Sequence, residues 1–357
     1  MQTDVQIDQS KPVLVTGANG YVASWLVKDL LEKGLTVHAT VRNPDDENKV
    51  GHLKALAAAA SGELKLFKAD LLEEGVFDAP MQGCELVFHT ASPFVMWNIT
   101  DPQAQLIEPA KRGTLNVLES VERTATVKRV VLTTSVAAIF GDNCDCAKAP
   151  NGVLTEANWN SSSSESHNPY SYSKTVAEQV AWEAVEQQNR WDLVCINPGL
   201  VFGPSLTQAS QSTSLSTIKE LVDGTQKMGV PHLEIGIVDV RDVAKAHMQA
   251  GFLPSASGRH ICVSETKSLL GLARAIRAKY GNKYPLPRMQ VPKALVWAIG
   301  PIMQPITRDY IARNVGHKLR FDNSYTREDL QMEFRPVAET ICDHMEQLLQ
   351  DGIIKRR

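Results

Sequence analysis

The sequence predicts an α/β chain built on a doubly wound parallel sheet, with a smaller, mainly carboxy-terminal lobe. Two observations carry this reading. Short β-branched runs alternate with helical stretches through the first 200 residues, and the first run ends in a glycine-bearing turn that opens a helix. Alternation of this kind marks βαβ units, whose strands run parallel and whose helices cover both faces of the sheet.

Strands are predicted at PVLVTG from Pro12, TVHATV from Thr36, ELKLFKAD from Glu63, CELVFHTA from Cys84, VKRVVLTTS from Val127 and WDLVCINPG from Trp191. Between them SWLVKDLLEKG and PQAQLIEPAKRGTLNVLESVE place apolar residues three and four apart, the spacing of one helix face. Past residue 200 the alternation loosens. GPSLTQASQSTSLST reads as a loop just after a strand end, and helices are predicted near 215–226, 240–252, 266–280 and 336–350. VPKALVWAIGPIM, at 291–303, is too short to span a bilayer and contains a lysine, so it reads as a packed helix or a lobe wall.

Composition narrows the function classes. The 357 residues are 43% hydrophobic and 22% charged, with a net charge of −3 and no basic run, so no nucleic-acid partner is expected. The start, MQTDVQIDQSKP, has no apolar core of a signal peptide, and a cytoplasmic chain without a membrane span is expected. Six cysteines are scattered, and the C-x-C at Cys144 and Cys146 lacks further ligands, so free thiols and no metal site are expected.

The first strand runs into TGANGYVASWLV, which sets Gly17, Gly20 and Ala23 at a G-x-x-G-x-x-A spacing with Asn19, Tyr21 and Val22 in the same turn. Such glycines let the backbone approach a dinucleotide pyrophosphate at the amino end of the next helix. The second strand closes on Arg42, where an NAD site carries an acid that bonds the ribose 2′-hydroxyl. An arginine suits a 2′-phosphate instead, and Lys49 is a second candidate cation. Both are otherwise solvated surface charges. Asp70, followed by Leu71, closes the third strand and either accepts from the adenine amino group or caps a helix; the backbone of Thr90, Ala91 and Ser92 lines the dinucleotide after the fourth.

LTTSVAA ends the fifth strand and offers Ser135 as a carbonyl-polarising hydroxyl, with Thr134 the rival on the other face. In NPYSYSK, Tyr170 and Lys174 stand four apart and share a helix face, while Tyr172 points elsewhere. A nearby ammonium lowers a phenol pKa from about 10, which would suit Tyr170 to proton transfer near neutrality; the alternative is a chance pair.

The glycine turn, strand-end serine and Tyr-x-x-x-Lys, in this order, resemble the extended short-chain dehydrogenase/reductases. More narrowly the chain resembles the branch of dihydroflavonol 4-reductase, cinnamoyl-CoA reductase and NADPH-dependent aldehyde and ketone reductases. The stretches ATVRNP, VFHTASP, EPAKRGTLNVL, YSYSKTVAEQVAWE and INPGLVFGPSL look like that branch's landmarks. The resemblance implies a catalytic trio of Ser135, Tyr170 and Lys174, with Tyr170 the proton donor and Lys174 also on the nicotinamide ribose. It further implies NADPH/NADP+ as cofactor, Pro198 and Val201 against the nicotinamide carboxamide, and Ser214 facing the cofactor from the following loop.

Two departures bear on substrate. NPYSYSK stands where cinnamoyl-CoA reductases typically carry Asn-Trp-Tyr-Cys-Tyr, and Phe140 stands where dihydroflavonol reductases place an amide. The segment from 291 looks more like microbial carbonyl reductases of the same group. Phe94, Met96, Trp97 and Phe140 form either an apolar substrate pocket or plain core. The expected function is an NADPH-dependent carbonyl reductase acting on a ketone or aldehyde. The alternatives are a nucleotide-sugar epimerase or dehydratase and a non-catalytic NADP-binding regulator. The expected organisation is a Rossmann dinucleotide-binding domain over 1–200, to which roughly 236–265 returns, and a mainly substrate-binding lobe over 201–357. A small-molecule carbonyl compound is the expected partner, and the chain is either a monomer or a homodimer.

Overall fold

The computed structural model describes residues 4–92, 99–207, 213–303 and 306–356. Its first half runs β1 (Val13–Thr16), α1 (Tyr21–Glu32), β2 (Thr36–Val41), α2 (Glu47–Ala59), β3 (Glu63–Lys68), the one-turn α3 (Asp78–Met81) and β4 (Leu86–His89). Then come α4 (Glu108–Arg123), β5 (Arg129–Thr133), α5 (Pro169–Glu186) and β6 (Asp192–Pro198). All six strands fall where the sequence predicts strands.

The second half adds β7 (Leu200–Phe202), α6 (Thr213–Asp223), β8 (Val230–Pro231), β9 (Glu234–Asp239), α7 (Val240–Phe252), β10 (Gly258–Cys262), β11 (Glu265–Ser268) and α8 (Leu269–Tyr280). It closes with β12 (Gln290–Val291), α9 (Lys293–Met303), α10 (Arg308–Asn314), α11 (Ser324–Asp329) and α12 (Val337–Gln350). Among the described residues, seven strands form one parallel sheet in the order β10-β6-β5-β4-β1-β2-β3. β11-β9-β7 form a small sheet and β12-β8 a two-residue pair.

Period-two alternation builds the layers. Val13 and Val15 of β1 join a core with Leu26 and Leu30 of α1 and Ala246 of α7, while Leu14 between them meets Val117 of α4 and Ala181 of α5 on the other face. Because both faces are covered, β1 is fully buried, and each such Val or Leu contributes about 1.5–3 kcal/mol. A separate core joins α6, α8 and α12 over β9.

Two expectations are corrected. The helix predicted from 266 starts at Leu269, because the Ser268 hydroxyl accepts from Gly271 N–H and caps it there. The four residues before it pair antiparallel with β9 instead. The helix predicted at 215–226 begins at Thr213, inside the stretch read as a loop, and ends at Asp223, where Gly224 takes a φ of +103°. α9 buries Val296 and Gly300, while Leu295 and Trp297 are exposed, with Arg308 4.5 Å over the Trp297 ring.

Candidate active site

The sheet reverses its winding between β1 and β4, and a crevice opens at such a switch point beyond the strands' carboxyl ends. Gly17 sits there with φ +62°, and a Cβ on it would lie 3.0 Å from the Ala91 backbone. Only a glycine lets these two strand ends meet. Gly20 caps α1 with extended backbone and no side-chain bond, and the first turn of α1 holds no acid. Asn19 is half-buried in the turn. These residues fit a pyrophosphate at a helix amino end. Val22 packs into the core beside the turn. The Tyr21 hydroxyl, however, donates to the Gly203 carbonyl at 2.5 Å, and Trp25 donates to Pro204 at 2.8 Å. Tyr21 therefore ties α1 to the segment after β7 and leaves its backbone to the crevice.

Arg42 lies one residue beyond β2 rather than closing it, exposed to solvent. Lys49 is exposed in the first turn of α2. Among the described residues neither side chain forms an ion pair or a side-chain hydrogen bond. Asp70 caps no helix: its carboxylate accepts from Leu72 N–H at 3.0 Å, which makes an Asx turn, and the next helix begins only at Asp78. Leu71 packs against Gly113 of α4, where a Cβ would stand 2.6 Å from it.

The floor of the crevice is polar. Thr90 donates to the Thr16 carbonyl, Ala91 N–H donates to the Thr16 hydroxyl at 3.0 Å, and that hydroxyl pairs with His89 Nδ1 at 2.9 Å. Burial pushes His89 down to about 3, with the Lys174 charge adding to the effect, so its ring is neutral at pH 7. Sequence reasoning singled out neither Thr16 nor His89, although His89 lies in the VFHTASP stretch.

Tyr170 and Lys174 stand one turn apart at the start of α5, as the spacing predicts. Pro169 occupies the first helical position, and Asn168 before it adopts φ +54° while its amide donates to Gly141 at 2.8 Å. The Lys174 ammonium lies 5.7 Å from the Tyr170 ring centroid and donates to the Ser92 hydroxyl at 2.7 Å. Burial pushes Lys174 down to about 8 and Tyr170 up to about 12. The expected lowering of the phenol is thus reversed: desolvation of the phenolate outweighs the ammonium. Ser135, just past β5, is half-exposed, accepts from Ala137 N–H at 3.1 Å and reaches the Pro198 carbonyl at 3.5 Å. Thr134 turns inward and donates to Glu178 at 2.6 Å. Thr175, next to Lys174, reaches the Ala137 carbonyl at 3.4 Å and so holds α5 against the turn after Ser135.

Pro198 ends β6 within reach of that serine, and Val201 lies in β7, paired with Val238 of β9. Ser214 is buried in the first turn of α6 rather than on a loop. Phe140 meets Phe321 edge-on at 5.6 Å and packs with Leu154 and Leu319, and it also faces a cavity of about 210 Å³ walled by Trp159. Phe94, Met96 and Trp97 lie outside the described residues.

A parallel sheet with a glycine turn at its switch point, and a helix bearing Tyr170 and Lys174 that Thr175 holds against the turn after Ser135, are the frame of a dinucleotide-dependent α/β enzyme. The chain belongs to the NAD dependent epimerase/dehydratase family, matching it over residues 13–261, and within it to the extended short-chain dehydrogenase/reductases. It is 46% identical to a cinnamoyl-CoA reductase of Medicago truncatula over 79% of this chain and 82% of that one. It is 40% identical to an anthocyanidin reductase of Vitis vinifera over 76% and 81%. The NADPH complex of yeast methylglyoxal/isovaleraldehyde reductase Gre2 superposes with a TM-score of 0.77 at 28% identity, covering 96% of this chain and 100% of that one. Identity to the plant reductases exceeds that to the yeast enzyme. No described helix is long and apolar enough to cross a membrane.

Proposed function

We propose that this protein is a cytoplasmic NADPH-dependent carbonyl reductase that converts a ketone or aldehyde to an alcohol. The observation that carries the reading is the Tyr170–Lys174 pair at the start of α5, with Lys174 bonded to Ser92 and Thr175 holding the helix against the turn after Ser135. Bound NADPH supplies the hydride. Tyr170 holds its proton at neutral pH, since burial raises its pKa to about 12, and gives it to the substrate oxygen. Ser135 donates to the same oxygen and fixes its position. Lys174, charged at pH 7 with a pKa near 8, lies beside the phenol to offset negative charge as the proton leaves, and it holds the nicotinamide ribose.

Gly17, Gly20 and the amino end of α1 hold the pyrophosphate, Arg42 and Lys49 meet the 2′-phosphate, and the Asp70 turn faces the adenine. Pro198 and Val201 border the nicotinamide. The chain from 201 onward forms most of the substrate lobe, with roughly 236–265 returning to the nucleotide domain through α7 and β10. The names of the relatives, all reductases, support the oxidoreductase class.

The test follows NADPH and NADH oxidation against aryl ketones, diketones and aromatic aldehydes, with Tyr170→Phe alongside. Loss of about 10²–10⁴-fold in turnover is expected for the variant. Absence of turnover with every carbonyl, in protein that purifies with tightly held NAD, would instead identify an epimerase or dehydratase.

A further inference from the structure

Beneath the proposed catalytic trio lies a second polar cluster that none of the chemistry above uses. Glu178 is fully buried on α5, one turn beyond Lys174 and on the same face. One carboxylate oxygen accepts from Thr134 at 2.6 Å and from the Asn197 amide at 2.8 Å. The other accepts from Arg259 Nε at 2.5 Å. Thr134 is the residue before Ser135, Asn197 the residue before Pro198, and Arg259 belongs to β10. One carboxylate thus ties the helix that carries Tyr170 and Lys174 to three neighbouring strands.

The partners reach the serine from both sides. Asn197 donates to the Ser135 carbonyl at 3.2 Å, and Arg259 donates to the Ala138 carbonyl, in the turn that follows the serine, at 3.2 Å. Arg259 is itself fixed by the Glu156 and Asn158 carbonyls at 2.7 and 2.6 Å and by the Trp159 ring 3.8 Å away. Stability alone does not call for this arrangement, because well-packed apolar side chains of similar volume commonly replace a buried ion pair without loss. What apolar packing lacks is direction: a carboxylate that takes donors from three neighbouring strands, besides Trp182 of its own helix at 3.4 Å, tolerates little sliding of α5 along the strand ends.

We propose that Glu178 is a positioning residue, whose carboxylate holds α5 in register with the ends of β5 and β6 and so sets Tyr170 and Lys174 against Ser135 and the nicotinamide site. This rests on the functional reading above. Two variants separate alignment from charge and folding. Glu178→Asp keeps the charge but shortens the reach by one methylene, and Thr134→Val preserves shape while removing one of the carboxylate's donors together with the acceptor of the Asn197 amide and Ser135 N–H.

Both variants are measured for kcat, for KM of NADPH and of the carbonyl substrate, for the fluorescence emission of bound NADPH, and for the melting midpoint. Misplacement by a fraction of an ångström is expected to lower kcat about ten- to a hundredfold with both KM values within about twofold, and to shift the bound-nicotinamide emission. Unchanged kcat and emission in both variants would overturn the proposal, as would a lowered melting midpoint with full activity per folded molecule. If the wild-type protein turns over no carbonyl, the reductase reading fails. The emission of bound NADPH still decides the positioning role, a shift upholding it and no shift refuting it.

Discussion

The selection of NADPH over NADH can be tested at one side chain. Arg42 is exposed just past β2, and its side chain forms no ion pair or hydrogen bond among the described residues, so replacing it breaks nothing internal. Arg42→Ser should therefore fold as the wild type does. A guanidinium about 4 Å from a phosphate in water gains roughly 1 kcal/mol per unit charge, hence about 2 kcal/mol for a near-dianionic group. A charge-assisted, bidentate hydrogen bond brings the total to about 2–3 kcal/mol. That predicts a rise of about 30- to 150-fold in KM for NADPH, where 1.4 kcal/mol is tenfold. NADH lacks the phosphate, and its kcat/KM should change less than about twofold. Steady-state kinetics with each cofactor reads both. Salt supplies an internal check, because raising ionic strength from about 0.1 to 1 M shortens the screening length from about 10 to 3 Å. Wild-type KM for NADPH should climb with salt more steeply than the variant's, which keeps only Lys49 near the phosphate. A change in KM for NADPH of less than about threefold, with no altered salt response, would show that Arg42 is a solvated surface cation.

Other perturbations probe the frame of the site. Gly17→Ala places a side chain in the left-handed region and 3.0 Å from Ala91, so NADPH affinity should fall and stability drop by at least about 1–2 kcal/mol, read by cofactor titration and denaturant unfolding. Arg129 is buried, pairs with both Asp192 oxygens at 2.8 and 2.7 Å and donates to the Ala250 and Leu253 carbonyls at the end of α7; Arg129→Met, which strands Asp192, should cost about 3–5 kcal/mol in the same assay. Burial lowers His89 to about 3 and His247 and His344 to about 4, each below the unfolded value near 6.5. Between those limits the unfolded chain binds more protons, so stability should be lost as pH falls from about 6.5 toward 4, and His247→Gln should flatten that slope. An unfolding midpoint independent of pH over this range would contradict the burial of these rings.

Local pattern and order in the chain revealed the parallel sheet, the glycine turn and the Tyr–Lys pair, because strand runs, a glycine spacing and an i,i+4 face are properties of consecutive residues. Six strands lie where alternation placed them, and Tyr170 and Lys174 share a face of α5 as predicted. What only the tertiary structure decided depends on burial and on partners far along the chain. Burial raised the Tyr170 pKa, although its neighbour Lys174 alone implied the reverse. The short strands β7, β9 and β11 exist because they pair with one another, which no local run announces. Glu178, one acid among several on α5, acquired its meaning only when Thr134, Asn197 and Arg259, up to 81 residues away, converged on it. Sequence spacing can set which face a residue occupies, whereas solvent exclusion and long-range partners, which set a group's charge and role, arise only when the chain folds.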